Sequence, residues 1–318
     1  MEHQEPHQSP SSPHSGADGP QSPDTQEEIP LNIPGEPDGQ LPPPSLVITG
    51  WESFTESDEY YDPEPVDGEM VFSHTILLIL DPSDGTAYFG RVNIRRRDLL
   101  MDKARNSLRR IPDEEVYPPL PADWSTLELA ASGPEHHLKR PRFASYSWSK
   151  GTTQTAERFL EEGRTLHLMR QNPHPNVAKL EGCLVSHGRI LALLVKRYPI
   201  DLDQRVEGKK RKDRKPLDKT ACFSAIVSAV KHFHSLGIAH NDINPSNIML
   251  DEEDHPVVVD FGGCRPFGES LVELGTPGWN DGFDPEVSTA RNDLIGLRKI
   301  GEWLGISEEL LPDLSLAT

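Results

Sequence analysis

Two stretches hold the residues whose types and spacing suit chemistry: HNDINPSNIML at 240–250 and VVVDFGG at 257–263. Asp242, Asn247 and Asp260 are hard oxygen donors. The polar turn DEEDHP lies between two short apolar runs, 247–250 and 257–260, so a hairpin brings the three side chains around one point. One carboxylate, Asp242, suits orienting a hydroxyl and taking its proton. An amide and a second carboxylate, Asn247 and Asp260, suit Mg2+, which prefers oxygen and completes its octahedron with phosphate. That chemistry points to a nucleotide. Singly, Asp242 and Asn247 read as well as loop residues bonding their own backbone; their conjunction with Asp260 carries the argument.

The elements that must position these residues are periodic. A helix begins near Asp218, sets Phe223, Ile226, Val227, Val230 and Phe233 on one face, and stops at Gly237. A last amphipathic helix covers 291–304, with Leu294, Leu297, Ile300 and Leu304 on one side. Upstream, Phe159, Leu160, Leu166 and Met169 predict a helix over 155–169 that ends at Asn172-Pro173. Strands are predicted at 177–185 and 190–195, and short ones at 127–130 and 136–139 around Ser132-Gly133-Pro134. Earlier still, 71–80 and 86–94 read as a hairpin around DPSDG, followed by a helix over 99–108 and a Pro-rich connector at 111–124.

Together the motifs resemble the protein kinase family, whose catalytic loop H-R-D-x-x-x-x-N and metal-binding D-F-G are met here as His240-Asn241-Asp242 with Asn247, and as Asp260-Phe261-Gly262. HPNVAKLEG (174–182) resembles the family's link between the regulatory helix and the fourth small-lobe strand, and GTPGW (275–279) its loop ahead of the APE motif. Asp293 stands where the family has a buried helix Asp that braces the catalytic loop. The resemblance covers residues 130–304 and is closest to kinase-like proteins of filamentous fungi, in which HNDINPSN, an LKRP strand and an IPDE-x-x-x-PP connector recur together.

The resemblance implies an α+β, bilobal protein kinase-like fold that uses ATP and Mg2+. Asp242 would be the catalytic base, Asn247 and Asp260 the Mg2+ ligands, and Thr276 a bridge to Asp242 as in Ser/Thr-specific kinases. Lys139, in HHLKRP, would pair with the nucleotide phosphates and with Glu162 on the next helix; Lys150, in a Ser/Gly/Thr-rich stretch, is its rival. The hinge that holds adenine falls near 196–199, and His240 and Phe261 read as packing residues. Four segments follow: a disordered acidic, Pro-rich tail at 1–69; an N-terminal elaboration at 70–130; the small lobe at 131–197; and a truncated C-lobe at 198–318.

The departures bear on function. No G-x-G-x-x-G precedes Lys139, and Ser132-Gly133 is what remains of the flap over the phosphates. Asn241 replaces the arginine that reads an activation-loop phosphate, and a neutral amide cannot form that bidentate pair. Asn244 stands where the family has a lysine on the transferring phosphoryl, which removes one positive charge. Asp284-Pro285-Glu286 is the nearest approach to APE. The leading expectation is ATP-dependent phosphoryl transfer to Ser/Thr hydroxyls of a protein substrate. A pseudokinase that serves as a scaffold for a protein partner is the second reading, and a small-molecule kinase the third; GTPGW weighs against the third.

Composition bounds the rest. Residues 1–69 hold 16 of the 51 acidic residues, none of the 32 basic ones and 13 of the 30 prolines, so most of the net charge of −19 belongs to a tail. A chain-wide basic field is excluded, and with it the usual footprint of nucleic-acid binding. Disorder is expected over 1–69, except where LVITGWESF (46–54) offers apolar residues for docking. Ser9, Ser12 and Ser22 each precede proline, a pattern for proline-directed kinases. KKRKDRK (209–215) reads as a solvated loop or as a nuclear-import or acidic-partner patch. With no leader and no apolar run of membrane length, no membrane partner is expected, and the place of action is expected to be intracellular, in cytoplasm or nucleus. Cys183, Cys222 and Cys264 lack any CxxC and read as reduced, buried thiols, while His232 and His234, two apart on a helix, face different ways and offer no metal site.

Overall fold

Apolar residues at every position from 76 to 79 leave that strand no solvent face, and the fold uses both sides. In the computed structural model, residues 40–43, 46–62, 69–124, 133–143, 146–208, 215–271, 275–280 and 286–314 are described. Ser9, Ser12 and Ser22, the predicted strand at 127–130, the basic run at 209–214 and Asp284-Pro285 lie outside them. Strands β1 (Glu56–Tyr61), β2 (Phe72–Leu80), β3 (Ala87–Val92) and, after helix α1 (Met101–Ser107), β4 (Arg109–Arg110) form an antiparallel sheet in that order. The β2–β3 turn is the predicted DPSDG, with Ser83 N donating to Asp81 Oδ1 (2.9 Å) and Gly85 at a φ of 83° that suits glycine.

Period-2 alternation then sorts the side chains. Ile76 and Leu78, with Ala87 and Phe89, face a second sheet; Leu77 and Ile79, with Tyr88 and Val92, face α1. The second sheet follows α2 (Asp113–Val116) and comprises β5 (His136–Lys139) and, after α3 (Tyr146–Ser149) and α4 (Gln154–Gln171), β6 (Gly182–Ser186) and β7 (Arg189–Lys196), in the order β5-β7-β6. Leu184, Ala192 and Leu194 pack against the first sheet, while Cys183, Leu193 and Val195 join Phe159, Leu166 and Met169 of α4. The alternation slips once on β7. Leu184 pairs with Ala192 and Val185 with Ile190, so Leu191 is the extra residue of a bulge and shares its face with Ala192.

The far side of the first sheet corrects the expectation of disorder for residues 55–62 and meets the docking exception expected at 46–54. Leu46 and Phe54 are each only 8% exposed and pack with Leu77, Tyr88 and Leu108. Arg105 donates to the carbonyls of Leu46 (2.7 Å) and Pro43 (2.8 Å), and β1 pairs with β2 along six residues. Residues 46–54 therefore dock, and the boundary at 69/70 falls between two paired strands. Low apolar content misled here because a few anchors suffice when a neighbouring sheet already presents an apolar face and a free edge. Phe54→Ala is expected to cost about 3 kcal/mol by cavity formation, and removal of residues 1–61 to lower the melting temperature further. Thermal and urea melts of the full chain and both variants check this; unchanged curves would show the segment undocked.

The second half is built as its patterns predict. After β8 (Ile200–Asp201) and α5 (Leu202–Glu207), helix α6 (Lys219–Ser235) starts at Asp218, whose carboxylate accepts from Ala221 N (3.0 Å), and buries Phe223, Ile226, Val230 and Phe233. Strands β9 (Ile238–Ala239), β10 (Ile248–Leu250), β11 (Pro256–Val258) and β12 (Arg265–Pro266) precede α7 (Ala290–Leu304). β10 forms the expected hairpin with β11 and also pairs with β8, and β9 pairs with β12. The strand predicted at 177–185 begins only at Gly182. The residues before it form a connector bonded to β11, with Val258 N donating to Asn176 O (2.9 Å) and Ala178 N to Val258 O (3.0 Å). All three cysteines are free and buried. Among the described residues no helix is long and apolar enough to cross a membrane.

Candidate active site

The site is braced from below by α7. Asp293 is fully buried; it accepts from His240 N (2.9 Å) and Asn241 N (2.7 Å), and His234 Nε2 lies 2.9 Å from it. Helix and loop approach so closely that a Cβ on Gly296 would stand 2.4 Å from Ile243 O. Asn241 adopts a φ of 64°, a conformation that Asn tolerates better than most residues, and is buried. Its Nδ2 donates to Gly263 O (2.9 Å) and Ser288 Oγ (3.1 Å), and its Oδ1 accepts from Asn292 Nδ2 (3.0 Å). Sequence reading marked Asn241 only as a lost arginine. In the structure it is a neutral clasp that joins the 240–247 loop, the segment after Asp260 and the start of α7.

Asp242 is held by three donors. Its Oδ1 accepts from Thr276 N (2.7 Å) and Asn244 Nδ2 (3.0 Å), and its Oδ2 from Asn247 Nδ2 (2.9 Å). Thr276 thus meets Asp242 through its backbone N–H, while its hydroxyl accepts from Asn244 Nδ2 (3.0 Å). A carboxylate accepts about four hydrogen bonds, so Oδ2 keeps room for a hydroxyl proton. Phe261 is buried edge-on against the rings of Phe233 (5.6 Å) and His240 (5.8 Å), the packing role expected for Phe261 and His240.

Lys139, at the end of β5, meets the carboxylate of Glu162 on α4 and, at 2.7 Å, Asp260 Oδ1. Lys150 follows α3, and it is Lys139 that bridges Glu162 and Asp260. Burial would lower the Lys139 pKa, but the two carboxylates outweigh it and hold the ammonium up, hence charged. Burial pushes Glu162 up against the pull of Lys139. Burial would also raise Asp260, but Lys139 and then Arg142 draw it down to about 2, so it is an anion at neutral pH. Asp260 has a φ of 63°, a strained value for a residue with a Cβ and of the kind found at functional sites.

These groups open on a cavity of about 380 Å³, within the range of small-molecule sites. Apolar Ala178, Val195, Met249 and Val259 line it together with Lys139, Asn247 and Asp260. Lys196, Arg197 and Tyr198 contribute as well, where the hinge was expected. A neighbouring cavity of about 230 Å³ is lined by Asp242, Gly275, Thr276 and Pro277. Arg142, which sequence reading passed over, lies on both, with Nη2 3.5 Å from Asp260 Oδ2. Its one signal in the sequence is indirect: a phosphate site with neutral Asn244 needs a cation from elsewhere.

A family model described as the protein kinase domain matches residues 144–287. Over that segment this chain is similar to protein kinases. It is 31% identical over 147 residues to CBL-interacting protein kinase 4 of Oryza sativa subsp. japonica, covering 44% of this chain and 31% of that protein. To serine/threonine-protein kinase Tao of Drosophila melanogaster it is 27% identical over 172 residues, covering 54% of this chain and 16% of that one. A chain in the crystal structure of the yeast RNA Pol II CTD kinase CTDK-1 complex overlaps 46% of this chain and 49% of its own length, with a TM-score of 0.39 and 18% identity. The kinase-like chain therefore spans less than a third of the length of these curated relatives. Its matched segment contains Glu162, Asp242, Asn247, Asp260 and Thr276; Lys139 and the first sheet precede it and Asp293 follows it.

Proposed function

We propose that this kinase-like chain transfers the terminal phosphoryl group of ATP to Ser/Thr hydroxyls of protein substrates. The observation that carries the reading is Asp242, oriented by Asn244, Asn247 and Thr276 beside the charged set Lys139, Glu162 and Asp260. Asp260 and the amide oxygen of Asn247 supply hard oxygen donors to one cavity, a set that fits Mg2+. Held there, Mg2+ would supply positive charge against that of the phosphates. Lys139, steadied by Glu162, contacts the nucleotide phosphates. Asp242 takes the proton of the acceptor hydroxyl as its oxygen bonds to the terminal phosphorus; the bond from that phosphorus to the bridging oxygen breaks, and ADP leaves with the electron pair.

The likeness to serine/threonine kinases supports the choice of acceptor. ATP as donor supports an intracellular place of action, in cytoplasm or nucleus. The joint occurrence of HNDINPSN, LKRP and the IPDE connector supports a place among kinase-like proteins of filamentous fungi, and Ser9, Ser12 and Ser22 fit acceptors of a proline-directed kinase.

The test is a thermal-shift titration of the full chain with ATP, with and without Mg2+, beside Asp260→Ala. A Mg2+-dependent rise is expected in the wild type, worth about 2.7 kcal/mol at a ligand concentration 100 times Kd, and is expected to vanish in the variant. No rise in the wild type would leave a binding or scaffold module as the better reading.

A further inference from the structure

A phosphoryl group in transit spreads negative charge over its oxygens, and fixed cations placed there contribute most to its stabilisation. The catalytic loop offers none at that point. Asn244 is neutral, and its amide already holds Asp242 and Thr276. Lys139 is engaged by both Glu162 and Asp260. Arg142 approaches from the small lobe, three residues beyond Lys139 in KRPRF. Its guanidinium lies 3.5 Å from Asp260 Oδ2, so the two oxygens of Asp260 face two different cations. Arg142 and Asp260 are the residues shared by the cavity that fits the nucleotide and the one that holds Asp242. A group passing from one cavity to the other passes this pair. The Arg142 side chain is 63% exposed, so it can follow a phosphate and can be replaced without emptying a core.

We propose that Arg142 binds the terminal phosphoryl group of the nucleotide from the small-lobe side and supplies the positive charge that Asn244 lacks. The inference rests on the reading of the site as one for phosphoryl transfer. A guanidinium suits the task because its planar fork meets two phosphate oxygens at once. Arg142 then discriminates triphosphate from diphosphate, since ADP has no group at that junction.

The test is calorimetric titration of the full chain with Mg-ATP and, separately, with Mg-ADP. The proteins are the wild type, Arg142→Ala, Arg142→Lys and the double variant Arg142→Ala with Asn244→Lys. The wild type is expected to prefer Mg-ATP by at least about tenfold, the scale of one good charge-assisted contact. Arg142→Ala should lose that preference while its Mg-ADP affinity stays unchanged, and Arg142→Lys should keep part of it. In the double variant, a lysine on the catalytic loop should bring the preference back; binding is the readout there, because Asn244 also positions Asp242. A preference missing from the wild type, or fully kept in Arg142→Ala, overturns the proposal. Equal loss of Mg-ATP and Mg-ADP binding in Arg142→Ala also overturns it, because Arg142 would then act only through the placement of Asp260. A wild type that binds neither nucleotide overturns the phosphoryl-transfer reading itself, and this inference with it.

Discussion

Replacement of Asp242 by alanine is expected to lower phosphoryl transfer by about 10²- to 10⁴-fold, the usual worth of a positioned general base, with Mg-ATP affinity almost unchanged. The separation follows from the geometry. In the proposed reaction Asp242 uses Oδ2 toward the acceptor side, whereas the groups proposed to meet metal and phosphate are Lys139, Asn247 and Asp260. Asn247 does lose one acceptor in the variant, but its Nδ2 also donates to the backbone carbonyl at position 242 (2.9 Å), and that bond survives the substitution. Transfer of labelled phosphate from ATP to a Ser/Thr-containing protein acceptor, read beside calorimetric Mg-ATP affinity, checks both halves. Equal labelling by variant and wild type would remove Asp242 from the role of base.

The second large effect concerns stability. Asp293→Ala is expected to destabilise the chain by about 3–5 kcal/mol, because a fully buried acceptor is withdrawn from two backbone N–H groups and from His234. The two backbone donors are buried and have no water to turn to. Asp293→Asn should fall between alanine and wild type, since its single carbonyl oxygen still accepts. Urea denaturation of the three proteins gives the order. A loss below about 1 kcal/mol for the alanine variant, the net worth of one ordinary hydrogen bond, would mean that the catalytic loop is braced by other contacts. The alanine substitution frees the backbone of the two residues just before Asp242, so activity should fall faster than stability under mild denaturant.

The elements legible in the sequence were those whose side chains repeat with a period. The hairpin around DPSDG falls where its turn signal places it, and helices α4, α6 and α7 fall where spacing places them, because each helix buries one periodic face. The pairing of Lys139 with Glu162 was legible through resemblance, as was the brace from Asp293. Strand β1 was not. ESDEYY is almost wholly polar, and it is a strand because β2 offers it an open row of backbone groups, a partner lying outside the local window. The bulge at Leu191 escaped for a related reason: ILALLV is apolar at every position, so a slip in alternation leaves no trace in residue type. Thr276 stands beside Asp242, but the bond runs through its backbone N–H, which any residue except proline possesses. Arg142 belongs to no motif and becomes visible only when two cavities and the neutrality of Asn244 are seen together.

The sheet that carries Lys139 has no face of its own to show to water. One side is taken by α4; the other is covered by strands drawn from 56–110, far ahead of the segment that carries the kinase likeness. A gene rearrangement that moved residues 131–318 alone would expose Leu184, Leu191 and Leu194 together. The half that resembles kinases is thus no detachable cassette. It and its cover can be inherited, duplicated or shuffled only as one piece, and the cover is free to diverge in sequence only as far as its contacts with that sheet allow.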